Sequence, residues 1–128
     1  MGGVFEREAV NEYKFLTMSR RIYISMPISG YDYQERKELS VFVQRELEQR
    51  DYEVFNPMFN GLPKDATTNE HMRTDLKMLC ECDEIIMLPK WNHSAGCTQE
   101  LGVATAIGCN VKFLISVKPF TIIETKFQ

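Results

Sequence analysis

Two carboxylates of this chain, Asp75 and Glu100, lie on or beside the apolar stripe of segments with helical periodicity. On a helical wheel Asp75 falls within about 60° of Met72 and Leu79, and Glu100 adjoins Leu101 near the start of its segment. An inward carboxylate is rarely buried without a partner or a task, and acid–base chemistry is a common task. The alternative is structural: Asp75 bonds backbone amides, and Glu100 occupies a helix start that stabilises negative charge.

The loop after the first predicted strand has the composition of a ligand-binding turn. It contains Ser25, Pro27, Ser29 and Gly30. In a doubly wound fold this loop meets a helix N-terminus, where a phosphate or a sugar binds. The same residues are common in ordinary turns, so both interpretations stay open. Trp91 follows a later strand and either stacks on a base or packs in a core or interface.

Composition and charge favour a small ligand over a polymer or a membrane. The 128 residues are 44% hydrophobic and 26% charged, which is typical of one globular domain. The formal net charge is -3, so we expect no nucleic-acid partner. No apolar run approaches the length of about 18 residues that spans a membrane, and the N-terminus lacks a secretory pattern. We therefore expect a cytoplasmic protein without membrane association.

The cysteines are predicted to be free thiols. They are Cys80, Cys82, Cys97 and Cys109. No two of them form a CxxC pair, and a cytoplasmic chain of this size does not need disulfides. Together with His71 and His93 their spacings match no structural zinc pattern, so no metal site is predicted.

Strand-like and helix-like segments alternate along the chain. The predicted strands cover residues 22–25, 52–56, 84–88, 109–117 and 120–124, the last at the sheet edge. The predicted helices cover residues 35–50, 68–82 and 96–107, with Thr68 or Asn69 as the cap of the second. This order predicts an α/β fold: a doubly wound, Rossmann-like or flavodoxin-like parallel sheet of about five strands with helices on both faces. Ligands bind such sheets beyond the carboxyl ends of the strands.

Two segments fall outside this regular pattern. Residues 57–67 are predicted to form a loop of a length that is often functional. Residues 1–17 are predicted to be an N-terminal extension, because Met18 followed by Ser-Arg-Arg and a strand has the form of a chain start. We therefore place the domain at residues 18–128.

Three motifs resemble the nucleoside 2-deoxyribosyltransferase superfamily over about residues 21–114. They are Tyr-Ile-Ser-x-Pro-Ile-Ser-Gly at 23–30, Arg-x-Asp-Leu at 73–76 followed by Cys-Asp-Glu-Ile at 82–85, and Ser-x-Gly-x-x-x-Glu-Leu-Gly-x-Ala at 94–104. The superfamily includes transferases, nucleoside 5'-monophosphate N-glycosidases and an uncharacterised branch, to which this chain is most similar.

The resemblance implies a role for each of three side chains. Glu100 corresponds to the nucleophile, which attacks the anomeric carbon and forms a covalent glycosyl-enzyme, so that configuration is retained. Asp75 corresponds to an aspartate that contacts the base or its protonation path, and Tyr23 to a tyrosine that orients the nucleophile. The resemblance also implies no cofactor, a nucleoside or nucleotide as partner, and a homodimer or higher homo-oligomer in which a neighbouring chain completes the pocket.

Ser94 bears on the substrate, because the transferases that act on nucleosides have an aspartate there. An aspartate repels a phosphate, whereas a serine donates to phosphate oxygens, and the monophosphate N-glycosidases are similar to this chain at that position. The resemblance thus implies hydrolysis of nucleoside 5'-monophosphates, with Gly96, Ser29 and His93 as further substrate contacts. His93 is equally interpreted as a solvated loop histidine. Deoxyribosyl transfer, and nucleotide binding or sensing without catalysis, are the alternatives.

Two positions depart from the superfamily pattern. Met26 stands where the superfamily usually has glycine, which predicts a side chain that intrudes on the sugar or phosphate pocket. Ser29 replaces a basic residue of some phosphate-binding relatives, which predicts weaker phosphate binding.

Overall fold

The buried apolar runs of the chain assemble into one five-stranded sheet. The computed structural model describes residues 20–125; the predicted extension at residues 1–17 lies outside them. The strands are β1 Arg20–Ser25, β2 Tyr52–Phe55, β3 Glu84–Met87, β4 Asn110–Val117 and β5 Phe120–Thr125. Their order across the sheet is β2-β1-β3-β4-β5. The α/β prediction is confirmed.

The first four strands are parallel, but β5 is antiparallel to β4. The prediction of a parallel sheet is therefore wrong for this edge strand. Only Lys118 and Pro119 separate β4 from β5. A parallel crossover needs about a dozen residues or more, whereas a two-residue link can close only a hairpin.

In the part of the chain that the structure describes, three α-helices cover the sheet, and each begins at a side-chain cap. They are α1 Tyr33–Glu48, α2 Thr68–Cys80 and α3 Ala95–Ala106. Short 3-10 helices occupy Pro57–Phe59 and Trp91–His93. The cap of α2 is Thr67, one residue before the predicted cap, because its hydroxyl and the Glu70 side chain bond each other's backbone N–H groups in a capping box.

Alternation along β1 decides which side chains meet which helix. Ile22 and Ile24 face α1, where they pack with Val43 and Leu47 in one core cluster. Side chains of a strand alternate between the two faces. Tyr23 therefore packs in the other core cluster, which includes side chains of α2 and α3.

Met26 continues this alternation and enters the core on the α1 side. Its side chain is 6% exposed and packs in the cluster that contains Ile24 and Leu47. The expectation that Met26 intrudes on a ligand pocket is therefore wrong. The next two residues of the loop are the buried Pro27 and the half-buried Ile28.

A buried ion cluster stabilises the end of the sheet at which the parallel strands begin. Glu84, the first residue of β3, is 2% exposed. Its carboxylate accepts hydrogen bonds from Arg20 Nε at 2.5 Å, from the Tyr52 hydroxyl at 3.0 Å and from Lys112 Nζ. The opposite end, where the parallel strands finish, carries the candidate site. Among residues 20–125, no helix is long and apolar enough to cross a membrane.

Candidate active site

Glu100 projects from α3 onto the end of β1, where two hydroxyl groups hold it. The Tyr23 hydroxyl donates to Oε2, and the Ser25 hydroxyl donates to Oε1 at 2.8 Å. Tyr23 and Ser25 lie on the same face of β1 because they are two residues apart. Each carboxylate oxygen thus accepts one hydrogen bond, and both donors belong to strand β1, which holds the Glu100 side chain in place.

Burial dominates the electrostatics of Glu100. It raises the pKa of the carboxyl group to about 7, the hydrogen bonds from Tyr23 and Ser25 oppose the rise, and the charge of Asp75 adds to it. Glu100 lies in the second turn of α3, which begins at Ala95. The helix dipole acts mainly within the first turn and contributes about 0.3–1 kcal/mol. The expected stabilisation by a helix start is therefore the smaller effect.

Tyr23 is a neutral hydrogen-bond donor to Glu100 rather than an anion. Its side chain is fully buried, and burial together with the charge of Glu100 raises the pKa of its hydroxyl well above the usual value. The hydroxyl therefore keeps its proton and can stabilise the ionised carboxylate of Glu100 throughout the neutral range.

Asp75 lies on α2 with its own partners. Oδ1 accepts a hydrogen bond from Asn60 Nδ2 at 2.8 Å, and the same nitrogen lies 3.0 Å from His71 Nδ1. Burial raises the pKa of Asp75, while the Asn60 hydrogen bond and His71 oppose the rise. A carboxyl group with a raised pKa can carry a proton toward a leaving group.

The orientation of the Asn60 amide follows from the backbone. Its Oδ1 accepts from Leu62 N at 3.0 Å, so its nitrogen faces His71 and Asp75. Since an amide nitrogen has only donors, His71 Nδ1 is the acceptor, and the neutral ring carries its proton on Nε2. Asn60 therefore fixes both the Asp75 carboxyl group and the tautomer of His71.

A cavity of about 370 Å³ opens beside Asp75. Its polar walls are Ser29, Tyr33, Asn60, Lys64, Thr68, His71 and Asp75. Its apolar walls are Ile28, Pro57, Met58, Leu62 and Ala66. Glu100, at 6% exposure, and Tyr23 are not among the residues that line it. The cavity is thus built largely by the 57–67 loop and α2.

Ser94 stands at the start of α3 and caps it. Its hydroxyl oxygen accepts from Cys97 N at 3.2 Å, which leaves the hydroxyl hydrogen available to a ligand. A Cβ atom placed on Gly96 would be 3.6 Å from Met72 Cε, an ordinary contact, so space alone does not require glycine there. Cys97 is 2% exposed, and burial raises the pKa of its thiol.

Of the predicted ligand contacts, Ser29 lines the cavity, whereas Ser25, Pro27, Gly30, Trp91, His93, Ser94 and Gly96 do not. Trp91 packs on Phe113, with ring centroids 5.6 Å apart, in the core cluster on the α2 and α3 side. His93 is exposed in the 3-10 helix before α3. Gly30 is exposed with a φ of 88°, a backbone conformation that favours glycine. The roles of these residues in binding stay predictions.

Asn60 and His71 were not predicted as functional residues. Asn60 lies in the predicted 57–67 loop, where it accepts a hydrogen bond from Leu62 N, and its side chain also reaches across to Asp75 on α2. His71 lies four residues before Asp75, one helical turn away on the same face. That spacing was a usable signal. Within residues 20–125, no group of three or more His, Cys, Asp or Glu side chains could hold a metal ion.

Comparison with known proteins relates the chain to one sequence family and one fold. Residues 20–113 match the family described as a domain of unknown function, DUF4406. The structure is similar to a 2-deoxyribosyltransferase from Bacillus psychrosaccharolyticus, with 20% identity and a TM-score of 0.55 over 77% of this chain and 78% of that one. At the level of sequence, the chain has no match among curated proteins.

Two further solved structures share the fold. One is a conserved protein from Enterococcus faecalis, with 22% identity and a TM-score of 0.57 over 73% of this chain and 61% of that one. The other is a CMP N-glycosidase from Clostridium botulinum, with 22% identity and a TM-score of 0.51 over 72% and 68% of the two chains. The chain therefore has the 2-deoxyribosyltransferase-like fold, which confirms the resemblance at the level of architecture.

Proposed function

The chain belongs to the DUF4406 family, and we propose that it is an N-glycosidase that acts on nucleoside or deoxynucleoside 5'-monophosphates. One observation carries the proposal: the carboxylate of Glu100 is buried at the end of β1 and held by the hydroxyl groups of Tyr23 and Ser25. Among residues 20–125 it forms no salt bridge that would give it a structural role. Asp75 lies close enough to raise its pKa.

In the proposed first step, an Oε atom of Glu100 attacks the anomeric carbon of the sugar. The bond from that carbon to the base nitrogen breaks, and its electron pair leaves with the base. Asp75, whose pKa is raised by burial, supplies or relays the proton that neutralises the departing base. The hydroxyl groups of Tyr23 and Ser25 orient the attacking carboxylate.

In the second step, water attacks the same carbon, transfers a proton to the Asp75 carboxylate left by the first step, and releases the sugar phosphate from the Glu100 carboxylate. Two inversions at one carbon retain its configuration. Transfer to a second base instead of water would make the protein a deoxyribosyltransferase by the same intermediate. Hydrolysis is preferred here because Ser94 keeps a hydroxyl hydrogen that can be donated to a 5'-phosphate, and it adds no negative charge.

The test measures release of free base from matched nucleosides and nucleoside 5'-monophosphates by chromatography. Glu100→Gln keeps the shape of the side chain and removes the nucleophile, so base release is expected to fall about a thousandfold or more. Glu48→Gln makes the same change at an exposed position on α1 and serves as the matched control. Intact-mass analysis of quenched reactions is expected to show a sugar phosphate adduct that Glu100→Gln lacks.

A second function, nucleotide binding without turnover, is supported by the burial of Glu100. The carboxylate is only 6% exposed and does not line the cavity beside Asp75. A ligand in that cavity would contact Asp75 and His71 without touching Glu100. Saturable binding of nucleotides with no release of base from any of them would establish this function and reject the glycosidase.

The proposal includes a homodimer or higher homo-oligomer. Phe59, beside the cavity loop, is 53% exposed, and Ile115 and Ile123 on the edge hairpin are 54% and 50% exposed. Met58 and Phe120 pack partly buried against the core. Light scattering on the purified protein gives the oligomeric state directly.

A further inference from the structure

A nucleoside 5'-monophosphate brings a charge of about -1.5 to -2 to the site at neutral pH. The site itself already contains the carboxyl groups of Asp75 and Glu100, and Ser29 and Ser94 are neutral. His93 is exposed and lies outside the cavity wall. The predicted phosphate contacts therefore include no cation that the structure brings to the cavity, although phosphate binding commonly uses one.

Lys64 supplies a cation at this cavity. It lies in the 57–67 loop and lines the cavity together with Ser29 and Tyr33. Its Nζ atom stands 4.5 Å from the centroid of the Tyr33 ring, a cation–π contact that holds the ammonium group at the start of α1. Within residues 20–125 Lys64 forms no salt bridge with a carboxylate, so its charge is not neutralised locally.

The loop that carries Lys64 is tied on both sides. Before Lys64, Asn60 accepts from Leu62 N at 3.0 Å and donates to Asp75. After it, Ala66 N donates to the carbonyl of Pro63 at 3.0 Å and closes a turn around Lys64. These hydrogen bonds thus hold the loop that carries Lys64 in place relative to Asp75, the residue proposed to protonate the departing base.

Arg36 is another cation near the loop after β1, and among residues 20–125 its buried Nε atom has no hydrogen-bond partner. Its guanidinium carbon lies 4.2 Å from the centroid of the Tyr31 ring, and Nη2 lies 3.7 Å from Glu35 Oε1. Arg36 does not line the cavity. Among residues 20–125, Lys64 is therefore the one lysine or arginine that lines this cavity.

We propose that Lys64 binds the 5'-phosphate of the nucleotide and, with Ser29, sets the preference for monophosphates over nucleosides. This inference rests on the proposed function only in taking a nucleotide as the ligand. In this proposal Lys64, from the 57–67 loop, takes the role of the basic residue that would otherwise stand at the position of Ser29. A lysine binds phosphate as a point charge through its three donors.

The experiment compares Lys64→Met with Lys77→Met, which removes a lysine from an exposed position of α2 outside this cavity. Binding of deoxycytidine, deoxyadenosine and their 5'-monophosphates is measured by calorimetry in the Glu100→Gln background, so that no ligand is consumed. A charge-assisted hydrogen bond corresponds to about a tenfold to hundredfold change in affinity. We expect Lys64→Met to weaken monophosphate binding by this factor and nucleoside binding by less than about twofold.

Lys64→Arg keeps the positive charge, so it is expected to retain most of the monophosphate preference that Lys64→Met loses. Equal weakening of nucleosides and monophosphates by Lys64→Met, unchanged binding of both, or no binding of either ligand class overturns the inference. Base release by the protein with native Glu100 separates the two proposals. If Lys64→Met weakens monophosphate binding selectively but the native protein releases no base, Lys64 is the phosphate contact and the glycosidase proposal is rejected. If the native protein releases base and its preference for monophosphates is the same with Lys64→Met, the glycosidase proposal holds and the role of Lys64 is rejected.

Discussion

Glu100→Gln is expected to change stability as well as activity, in a way that depends on pH. In the folded chain the pKa of Glu100 is about 7, whereas the ordinary value, taken for the unfolded chain, is 4.5. Between these values the folded state binds more protons than the unfolded state. The free energy of unfolding of the native chain therefore falls as pH rises from about 4.5 to about 7.

The size of the effect follows from the two pKa values. They differ by about 2.5, and one pKa unit corresponds to about 1.4 kcal/mol, so ionised Glu100 costs the folded state about 3 kcal/mol. The side chain is only 6% exposed, so solvent screening does not reduce this figure much. Glutamine has no charge to desolvate, and its amide can still meet the hydroxyl groups of Tyr23 and Ser25.

The measurement is urea unfolding of both proteins at about pH 5 and about pH 8. We expect the free energy of unfolding of Glu100→Gln, measured relative to that of the native chain, to be about 2–3 kcal/mol higher at about pH 8 than at about pH 5. Glu48→Gln removes an equal charge from an exposed position, so any effect of net charge alone would appear there as well. A difference between Glu100→Gln and the native chain that stays constant with pH would refute the argument that burial controls Glu100.

Two further substitutions test the surroundings of the site. Asn60→Ala removes the hydrogen bond that opposes the rise in the pKa of Asp75, so the pKa of Asp75 is expected to rise further. Carbon-13 NMR titration of the Asp75 carboxyl group measures this pKa. A fall would contradict the role assigned to the Asn60 hydrogen bond. Met26→Ala is expected to lower the free energy of unfolding by about 2–5 kcal/mol without improving nucleotide affinity, because Met26 fills the core on the α1 side. Tighter nucleotide binding would instead place Met26 at the ligand.

The sequence predicted the sheet and the helices because their apolar residues recur with the periods of strands and helices. The five strands and three α-helices of residues 20–125 lie within a few residues of their predicted positions. The direction of β5 was missed, although the two-residue link at Lys118 and Pro119 already excluded a parallel crossover. The orientation of Met26 was also available, since alternation from Ile22 and Ile24 places it on the α1 side.

The contacts within the site were less accessible to sequence reasoning. Tyr23 and Glu100 are 77 residues apart, so no local period relates them, and only the motif resemblance brought them together. Asn60 reaches Asp75 because the 57–67 loop folds back on α2, and loop paths have no periodicity from which to predict them. The catalytic roles of Tyr23, Asp75 and Glu100 stay predictions for the assays above.

The two buried glutamates of residues 20–125, Glu84 in β3 and Glu100 in α3, differ in a way that bears on function. Glu84 is surrounded by the cations of Arg20 and Lys112, and such pairing is what allows a charge to be buried for structural reasons. Glu100 has no cation partner among residues 20–125, only hydroxyl donors such as Tyr23 and the nearby negative charge of Asp75. A chain under selection for stability alone would gain about 3 kcal/mol at neutral pH by replacing Glu100 with a neutral side chain. Destabilising groups of this kind concentrate at functional sites, and the burial of Glu100 without a counter-charge is therefore evidence of a task rather than of packing.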